Sequence, residues 1–141
     1  MSDVPGFSQS GIEEFLRVSK LPLRLATVDE KGEPSIHPVW YHYEDNKLYF
    51  FTGKKSRKAQ NITQTGKVYF SIDTEAPPYR GVKGKATAVI IRDIAKSERV
   101  AENIVRKYMG SLDNPIGRSL KEDTRSGSDV VIEMTPIYYS T

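Results

Sequence analysis

The residues with the clearest chemical potential are four cations that fall within five positions, Lys54, Lys55, Arg57 and Lys58. Ser56 lies among them, where the N-cap of a helix is expected. The first turn of a helix carries free N–H groups and the positive end of the dipole, so exposed Lys and Arg are disfavoured there by about 0.3–1 kcal/mol each. Cations crowded onto this end are expected where an anion binds, most often a phosphate. The pattern therefore predicts a phosphate site, and a solvated basic turn is the alternative.

The segment from Ile36 to Tyr43 is a second candidate for ligand contacts. Its pattern is that of a strand, but Pro38 cannot donate a ladder hydrogen bond, so we expect the strand to be interrupted or bulged there. A broken strand exposes N–H and C=O groups that can bind the polar edge of a flat ring. Trp40, Phe50 and Phe51 are close together in the predicted hairpin and could stack on such a ring. The alternative is that these aromatic side chains fill the core.

Patterns for catalytic or metal-binding side chains are missing from the sequence. His37 and His42 are the only histidines, and because they are five positions apart in one predicted strand they point to opposite faces and cannot share a metal. There is no cysteine, which excludes disulfides, zinc–thiolate sites and thiol nucleophiles. No Ser/His/Asp triad and no carboxylate pair of the glycosidase type can be assigned. We therefore name no metal site and no catalytic residue.

Length and charge indicate one domain without a strong electrostatic field. The 141 residues predict a single domain over positions 1–141, large enough to bury a real core. Because 21 Lys and Arg residues nearly balance 18 Asp and Glu residues, the net charge of +3 does not indicate a nucleic-acid partner. The basic and aromatic residues of Tyr49–Lys58 leave a single-strand nucleic-acid binder as an alternative. No membrane-length apolar run or signal peptide is visible, so we expect a cytoplasmic protein with no membrane partner.

The elements that must position these residues follow from hydrophobic periodicity. Alternation predicts six strands, at Leu21–Val28, Ser35–Tyr43, Lys47–Thr52, Lys67–Asp73, Tyr79–Ile91 and Val130–Tyr139. Helical spacing predicts helices after a capping box at Ser10, from Arg57 to Thr63, from Asp93 to Met109 and near Ile116–Glu122. Asp93 is expected to cap the third of these helices and Gly110 to terminate it. Strands joined mainly as hairpins predict a mainly β fold, a six-stranded antiparallel barrel with peripheral helices.

Several stretches of the chain, in matching order and spacing, resemble the pyridoxamine 5′-phosphate oxidase-like superfamily, which has the FMN-binding split β-barrel fold. They lie within about positions 20–92 and are Leu23–Ser35, His37–Tyr41, Leu48–Ile62, Lys67–Ile72 and Pro78–Ala86. The most specific part is Thr52-Gly-x-x-Ser-Arg-Lys. The superfamily includes flavin- and deazaflavin (F420)-dependent oxidoreductases, and this chain is most similar to the short general-stress and F420-type members.

The resemblance implies a homodimer with a flavin in a groove at each end of the subunit interface. At the matching positions, Ser56, Arg57 and Lys58 would hold the cofactor phosphate. Tyr79 and Arg80 would approach the phosphate from another side. This agrees with the anion site that the cations and the N-cap predict on their own.

The remaining cofactor contacts that the resemblance implies concern the ring and the ribityl chain. Phe51 and Thr52 would border the ribityl chain. The ring would be contacted by the backbone and side chains of His37, Pro38, Val39 and Trp40.

The chain also departs from strict pyridoxamine phosphate oxidases. Those enzymes carry an Arg and a Lys on strand two and a C-terminal Trp and Arg that grip the substrate, whereas here strand two offers His37 and the segment Ile137–Thr141 contains neither Trp nor Arg. The expected function is an FMN-dependent oxidoreductase acting on a small molecule other than vitamin B6. F420 is the alternative cofactor. A non-enzymatic flavin or haem carrier is an alternative of another class, with His37 or His42 as the axial ligand of a haem.

Assembly is predicted from the second strand, which carries the large side chains of Val39, Trp40, Tyr41 and Tyr43. One face of these residues needs a cover that a small barrel cannot supply, and a two-fold partner is the commonest solution. We expect a homodimer of about 32 kDa, twice the 15.9 kDa chain, with strand two in the interface. The alternative is a monomer in which the helix at Asp93–Met109 covers that face.

Overall fold

The computed structural model describes residues 9–140, which form four helices and seven strands. The helices are α1 (Gln9–Val18), α2 (Arg57–Thr65), α3 (Ile94–Met109) and α4 (Pro115–Ser126). The strands are β1 (Leu23–Val28), β2 (Pro34–Val39), β3 (His42–Glu44), β4 (Lys47–Gly53), β5 (Lys67–Asp73), β6 (Gly81–Ile90) and β7 (Asp129–Ser140). The side chain of Ser10, predicted to cap α1, lies outside the described residues. In residues 9–140, no helix is long and apolar enough to cross a membrane.

All seven strands belong to one antiparallel sheet in the order β2-β1-β5-β6-β7-β4-β3. β2 and β3 follow each other in the chain, yet they lie at opposite edges of the sheet. The two residues between them, Trp40 and Tyr41, therefore cross from one edge to the other, and the sheet curls into a barrel that is split at this seam. The predicted mainly β split barrel with peripheral helices is confirmed, with seven strands because the predicted second strand is divided in two.

The predicted interruption at Pro38 is wrong. β2 pairs with β1 in continuous register through Arg24↔Pro38 and Leu23↔Val39. Proline is tolerated there because β2 is an edge strand and needs a ladder partner on one side only. The strand breaks two residues later, at Trp40, and the irregularity in the sheet register lies between Lys85 and Ala86 instead.

The main core fills the inside of the curled sheet. Alternation along β1 turns Leu23, Leu25 and Thr27 inward, and α1 adds Ile12 and Leu16, all of them buried. The strong amphipathic pattern of α1 explains its place, because only one face of the helix is apolar. Each buried leucine or isoleucine side chain contributes about 1.5–3 kcal/mol, so this layer supplies most of the stability.

A second, smaller core lies on the outer face of β4 and β7 under α3. Tyr49 and Val131 of the sheet meet apolar side chains of the two C-terminal helices. These are Val100, Ala101, Ile104, Val105 and Leu120. Asp93 caps α3 by accepting from the Lys96 N–H at 3.1 Å, and Gly110 ends the helix at φ +80°, as predicted.

An ionic clamp ties the short edge strand β3 to α3. Arg99 donates to the two carboxylate oxygens of Glu44 at 2.5 and 3.0 Å, and the His42 ring nitrogen lies 3.3 Å from the same carboxylate. Hydrogen bonding from Arg99 is the main reason why the pKa of Glu44 falls to about 2. The clamp holds β3 although this strand pairs on one side only.

We expect the unfolding free energy of the Glu44→Gln variant to depend less on pH than that of the wild type. Because the folded-state pKa of Glu44 is below its ordinary value of 4.5, its contribution is present above pH 4.5 and disappears as the pH falls towards 2. Arg99 is half exposed, so about 1 kcal/mol is at stake. Urea unfolding at pH 7 and pH 3 should show a smaller drop in unfolding free energy for the variant. An unchanged drop would contradict the role of the clamp.

The outer face on the other half of the sheet has no cover within residues 9–140. Ile36 and Tyr69 are 71% and 50% exposed there, and Tyr138 lies beside them along one shallow cavity. The large side chains of strand two are covered within the chain instead: Tyr41 is fully buried, and the Trp40 ring stacks on Tyr108 of α3. Trp40 and Tyr41 are therefore covered within the chain, whereas Ile36 of the same predicted strand stays exposed, and a partner chain on strand two stays a prediction.

Candidate functional site

The start of α2 is fixed by two hydroxyl groups. Ser56 is the N-cap in extended conformation, and its Oγ accepts from the Ala59 N–H at 3.2 Å. Thr52, at the end of β4, donates from its own hydroxyl to the same Oγ at 3.2 Å. The predicted cap is confirmed, and the strand-to-helix turn is held in one geometry.

The first turn of α2 retains donors for an anion. The N–H groups of Arg57 and Lys58 have no acceptor in the described part of the chain, since Ser56 takes the bonds of the next two residues. They lie at the positive end of the helix dipole. Free donors, dipole and cationic side chains coincide here, which is the arrangement that binds phosphate.

One cavity of about 410 Å³ joins this helix end to strand two. It lies within the range of roughly 300–1,000 Å³ that is usual for small-molecule sites. Its lining contains six of the predicted cofactor residues together with Pro22 and Ile116. The six are Pro38, Val39, Trp40, Phe51, Thr52 and Lys58.

The aromatic wall of the cavity is held by α3. The rings of Trp40 and Tyr108 are parallel within 4°, with centroids 5.1 Å apart. The Tyr108 hydroxyl donates to the Leu21 carbonyl at 2.8 Å, which fixes the Tyr108 ring of the stacked pair. Lys107 donates to the Tyr41 carbonyl at 3.3 Å and braces the crossing segment. Trp40 therefore has little freedom to leave the cavity wall.

His37 brings an unusual polar atom to this region. Its Nδ1 is buried and has no hydrogen-bond partner among residues 9–140. Burial is the first cause that lowers the pKa of His37, and the charges of Lys58 and Arg57 lower it further. The imidazole thus lies within range of the cationic helix end and carries an unused hydrogen-bonding atom. A buried polar atom without a partner is costly, so a bound group that supplies one would be stabilised.

Five predicted site residues lie outside the cavity lining: His37, described above, Ser56, Arg57, Tyr79 and Arg80. Ser56 acts through its cap, and Arg57 is exposed. Tyr79 and Arg80 lie in the connection between β5 and β6 and line a separate cavity. A role for these last two in cofactor binding stays a prediction.

Sequence reasoning missed Pro22, Tyr108 and Ile116. Tyr108 follows the helical spacing of α3, a signal that favours a core residue and gives no reason to place it under Trp40. Ile116 lies in the first turn of α4, and its position depends on Gly117, where a Cβ would lie only 2.0 Å from the Leu112 carbonyl oxygen. The glycine allows that close approach, and Gly117 is the feature of the sequence that could have indicated it.

The chemistry of this lining suits a flat aromatic ring that carries a phosphate. Trp40 and Phe51 offer aromatic surface, Thr52 a hydroxyl, and Lys58 with the helix end an anion site. The residues present therefore fit a flavin phosphate. No cluster of three or more side chains that could hold a metal ion occurs between residues 9 and 140.

Known structures share this fold. The conserved hypothetical protein Rv2991 from Mycobacterium tuberculosis superposes with a TM-score of 0.82 and 22% identity, over 99% of this chain and 86% of that one. An F420 reductase superposes with a TM-score of 0.73 and 23% identity, over 99% and 98%. The haem storage protein HutZ from Vibrio cholerae gives a TM-score of 0.65 and 18% identity, over 94% and 92%. No curated protein matches the sequence.

The sequence pattern of one family covers nearly the whole described chain. The pattern of pyridoxamine 5'-phosphate oxidase matches residues 10–141, which include the seven strands, the capped α2 and the cavity. The resemblance seen in the sequence, the split barrel and this match agree, and the chain belongs to the pyridoxamine 5'-phosphate oxidase family.

Proposed function

We propose that the protein is a cytoplasmic FMN-dependent oxidoreductase that acts on a small organic molecule. The observation that carries this proposal is the single cavity in which Trp40 and Phe51 meet Lys58 at the start of α2. When bound, FMN supplies hydride transfer, a reaction that needs no acid–base pair from the protein. This accounts for a cavity without paired carboxylates or an activated nucleophile.

The side chains have separate tasks in this proposal. Lys58 and the free N–H groups of the first turn of α2 bind the phosphate, and the Ser56 cap keeps that turn in place. Trp40, supported by Tyr108, keeps the ring in position. Val39 and Ile116 limit access of water to the ring. The strand-two residue His37 offers its free Nδ1 to a polar group of the ligand.

Extraction of the ligand from the purified protein identifies the cofactor. We expect a yellow protein whose extracted ligand has the absorption spectrum and mass of FMN. Structural similarity to an F420 reductase supports F420 as the alternative cofactor, and the same extraction tells the two apart. A colourless protein that binds neither FMN nor F420 on titration would overturn the proposal.

A haem carrier is the second candidate, supported by His37, whose Nδ1 has no partner among residues 9–140, and by the likeness to a haem storage protein. The His42 ring already contacts Glu44 at 3.3 Å, so His37 is the better axial ligand. Haem titration followed by its Soret band separates the candidates. Under this reading His37→Ala abolishes the band shift and His42→Ala leaves it intact, whereas the FMN proposal expects no stoichiometric haem binding.

We expect phosphate binding to raise the pKa of His37. Lys58 and Arg57 help to lower this pKa, and a bound anion neutralises them. The imidazole should then titrate closer to its ordinary value of 6.5. NMR titration of the two histidines with and without FMN measures the shift, and His42 is the internal control. An unchanged His37 pKa in the FMN complex would place the phosphate elsewhere.

We further propose that the protein is a homodimer that buries the uncovered sheet face around Ile36 and Tyr69. A second copy is also the means by which Tyr79 and Arg80, remote from Lys58 within one chain, could reach a cofactor. Light scattering should give about 32 kDa, twice the 15.9 kDa chain.

Charge on that face should separate the two copies. Ile36→Lys is expected to give a folded particle of half the mass, whereas Val18→Lys, at an exposed apolar residue on α1, should leave the dimer intact. A wild-type monomer that binds FMN tightly would refute both the dimer and a cofactor groove at its interface.

A further inference from the structure

A larger cavity of about 540 Å³ lies on the other side of α2 from the cofactor site. Gln60, Thr63 and Gln64 face it from α2, whereas Lys58 projects from the opposite side of this helix. Its remaining walls come from the end of β6, the start of α3, the end of α4 and the start of β7. The two cavities share no lining residue.

Two largely buried residues that carry hydroxyl groups line this cavity. Ser97 of α3 and Thr124 of α4 are 5% and 7% exposed, and both line it. Neither hydroxyl has a hydrogen-bond partner among the described residues, yet neither is sealed off from the cavity. Because both hydroxyl groups are open to the cavity and unpaired within the chain, they can form hydrogen bonds with a polar group bound there.

Positive charge dominates the rim. Lys54, Arg92 and Arg125 line the cavity, against one carboxylate, Asp129. Arg125 donates to Glu98 at 2.6 Å, so its charge is partly neutralised by this ion pair. Lys54 follows Gly53, which pairs with Asp129 in the β4–β7 ladder, so the opposite charges of Lys54 and Asp129 lie at the same end of the cavity. Neither Arg92 nor Lys54 makes an ion pair within residues 9–140, and of the two Arg92 is the one farther along the chain from Asp129's pairing partner Gly53.

The floor between these polar groups is apolar. It is formed by side chains from the end of β6, the start of β7 and the start of α3. They are Ile90, Ile91, Ile94, Val130 and Val131. A ligand that satisfies this lining has an apolar body against the floor and an anionic group near Arg92 and the two hydroxyls.

We infer that this cavity is a second small-molecule site, for an organic carboxylate with an apolar body. It is separate from the FMN site and independent of that proposal. Because α2 forms a wall of both cavities, a ligand here contacts the helix that holds the cofactor phosphate without touching the ring.

The test uses the whole protein and two matched probes, 4-phenylbutyrate and its neutral amide. In NMR titrations, the carboxylate should shift the amide signals of Ser97, Thr124 and Gly127 and bind about fivefold more tightly than the amide, the scale of an exposed charge pair. Equal affinity of the two probes would overturn the inference. Shifts confined to Trp40 and Lys58, or to Ile36 and Tyr69, would also overturn it.

Variants locate the charge and the cavity. Arg92→Gln should remove the preference for the carboxylate, and Lys55→Gln, a cation on the α2 turn outside the lining, should keep it. Ser97→Leu fills the cavity and should abolish binding of both probes. If that variant does not fold, Gln64→Trp at the exposed mouth takes its place. A preference that survives Arg92→Gln contradicts the assignment.

Discussion

Replacing Lys58 by Ala is expected to weaken FMN binding about 10- to 100-fold, the 1.5–3 kcal/mol of a hydrogen bond to a charged group. Lys58 is the one cation of the basic turn that lines the cofactor cavity, among the residues that the structure describes. Arg57 is exposed and outside the lining, so Arg57→Ala should cost less. Isothermal titration calorimetry or quenching of flavin fluorescence gives the affinities.

Riboflavin provides the matched control for this prediction, because it lacks the phosphate. Its affinity should be the same for the wild type and Lys58→Ala. Lys55→Ala should leave FMN affinity within about twofold, since an exposed charge contributes little. Equal losses at Lys55, Arg57 and Lys58 would mean diffuse electrostatics instead of a defined phosphate contact. An equal loss of riboflavin would mean that Lys58 shapes the cavity.

Gly84→Ala is expected to destabilise the whole barrel by about 2–4 kcal/mol, the range of severe overpacking in a core. A Cβ at Gly84 would lie 2.2 Å from the Tyr138 carbonyl oxygen and 3.1 Å from the Phe70 ring. The carbonyl belongs to the β7 backbone and cannot move without breaking the β6–β7 ladder next to its register shift. Thermal unfolding followed by circular dichroism should show a large drop in Tm.

The control for this variant is Gly53→Ala. Gly53 is likewise a glycine in a strand of the barrel, the last residue of β4, but nothing lies within 4 Å of its hypothetical Cβ. Its Tm should change little. Equal effects of the two substitutions would show that backbone entropy, and not the close approach at Gly84, sets the cost.

Local chemistry was readable from the sequence, and contacts between distant segments were not. The Ser56 cap, the Gly110 terminus and the bounds of β5 follow from neighbouring residues, and the structure confirms all three. The stack of Trp40 on Tyr108 joins residues 68 positions apart, and no local pattern specifies it. The split of strand two was placed at Pro38 because proline is a strong local signal, whereas the edge position that tolerates it depends on the whole sheet.

The candidate site shows the same contrast between residues that the sequence predicts and residues whose position depends on distant contacts. Six residues predicted from the resemblance meet in one cavity because they lie on β2, directly after it at Trp40, on β4 and on α2, all within the residues that the family pattern matches. For Ile116 the sequence offers only the neighbouring Gly117 as a signal, since the position of Ile116 depends on how α4 packs against Leu112. Tyr79 and Arg80 lie on a different part of the surface within one chain, a placement that sequence order cannot reveal.

The split between β2 and β3 gives the barrel a region of low local stability. Each of these edge strands is hydrogen-bonded on one side only in residues 9–140, so this seam can open without disrupting the central strands. Pro38, Val39 and Trp40 of the cofactor cavity lie on it. A ligand present at a hundredfold excess over its Kd adds about 2.7 kcal/mol to the free energy of any opening that releases it. Cofactor binding should therefore slow amide exchange in β2 far more than in β6. The occupancy of the cofactor site would then also set how often the seam between β2 and β3 opens.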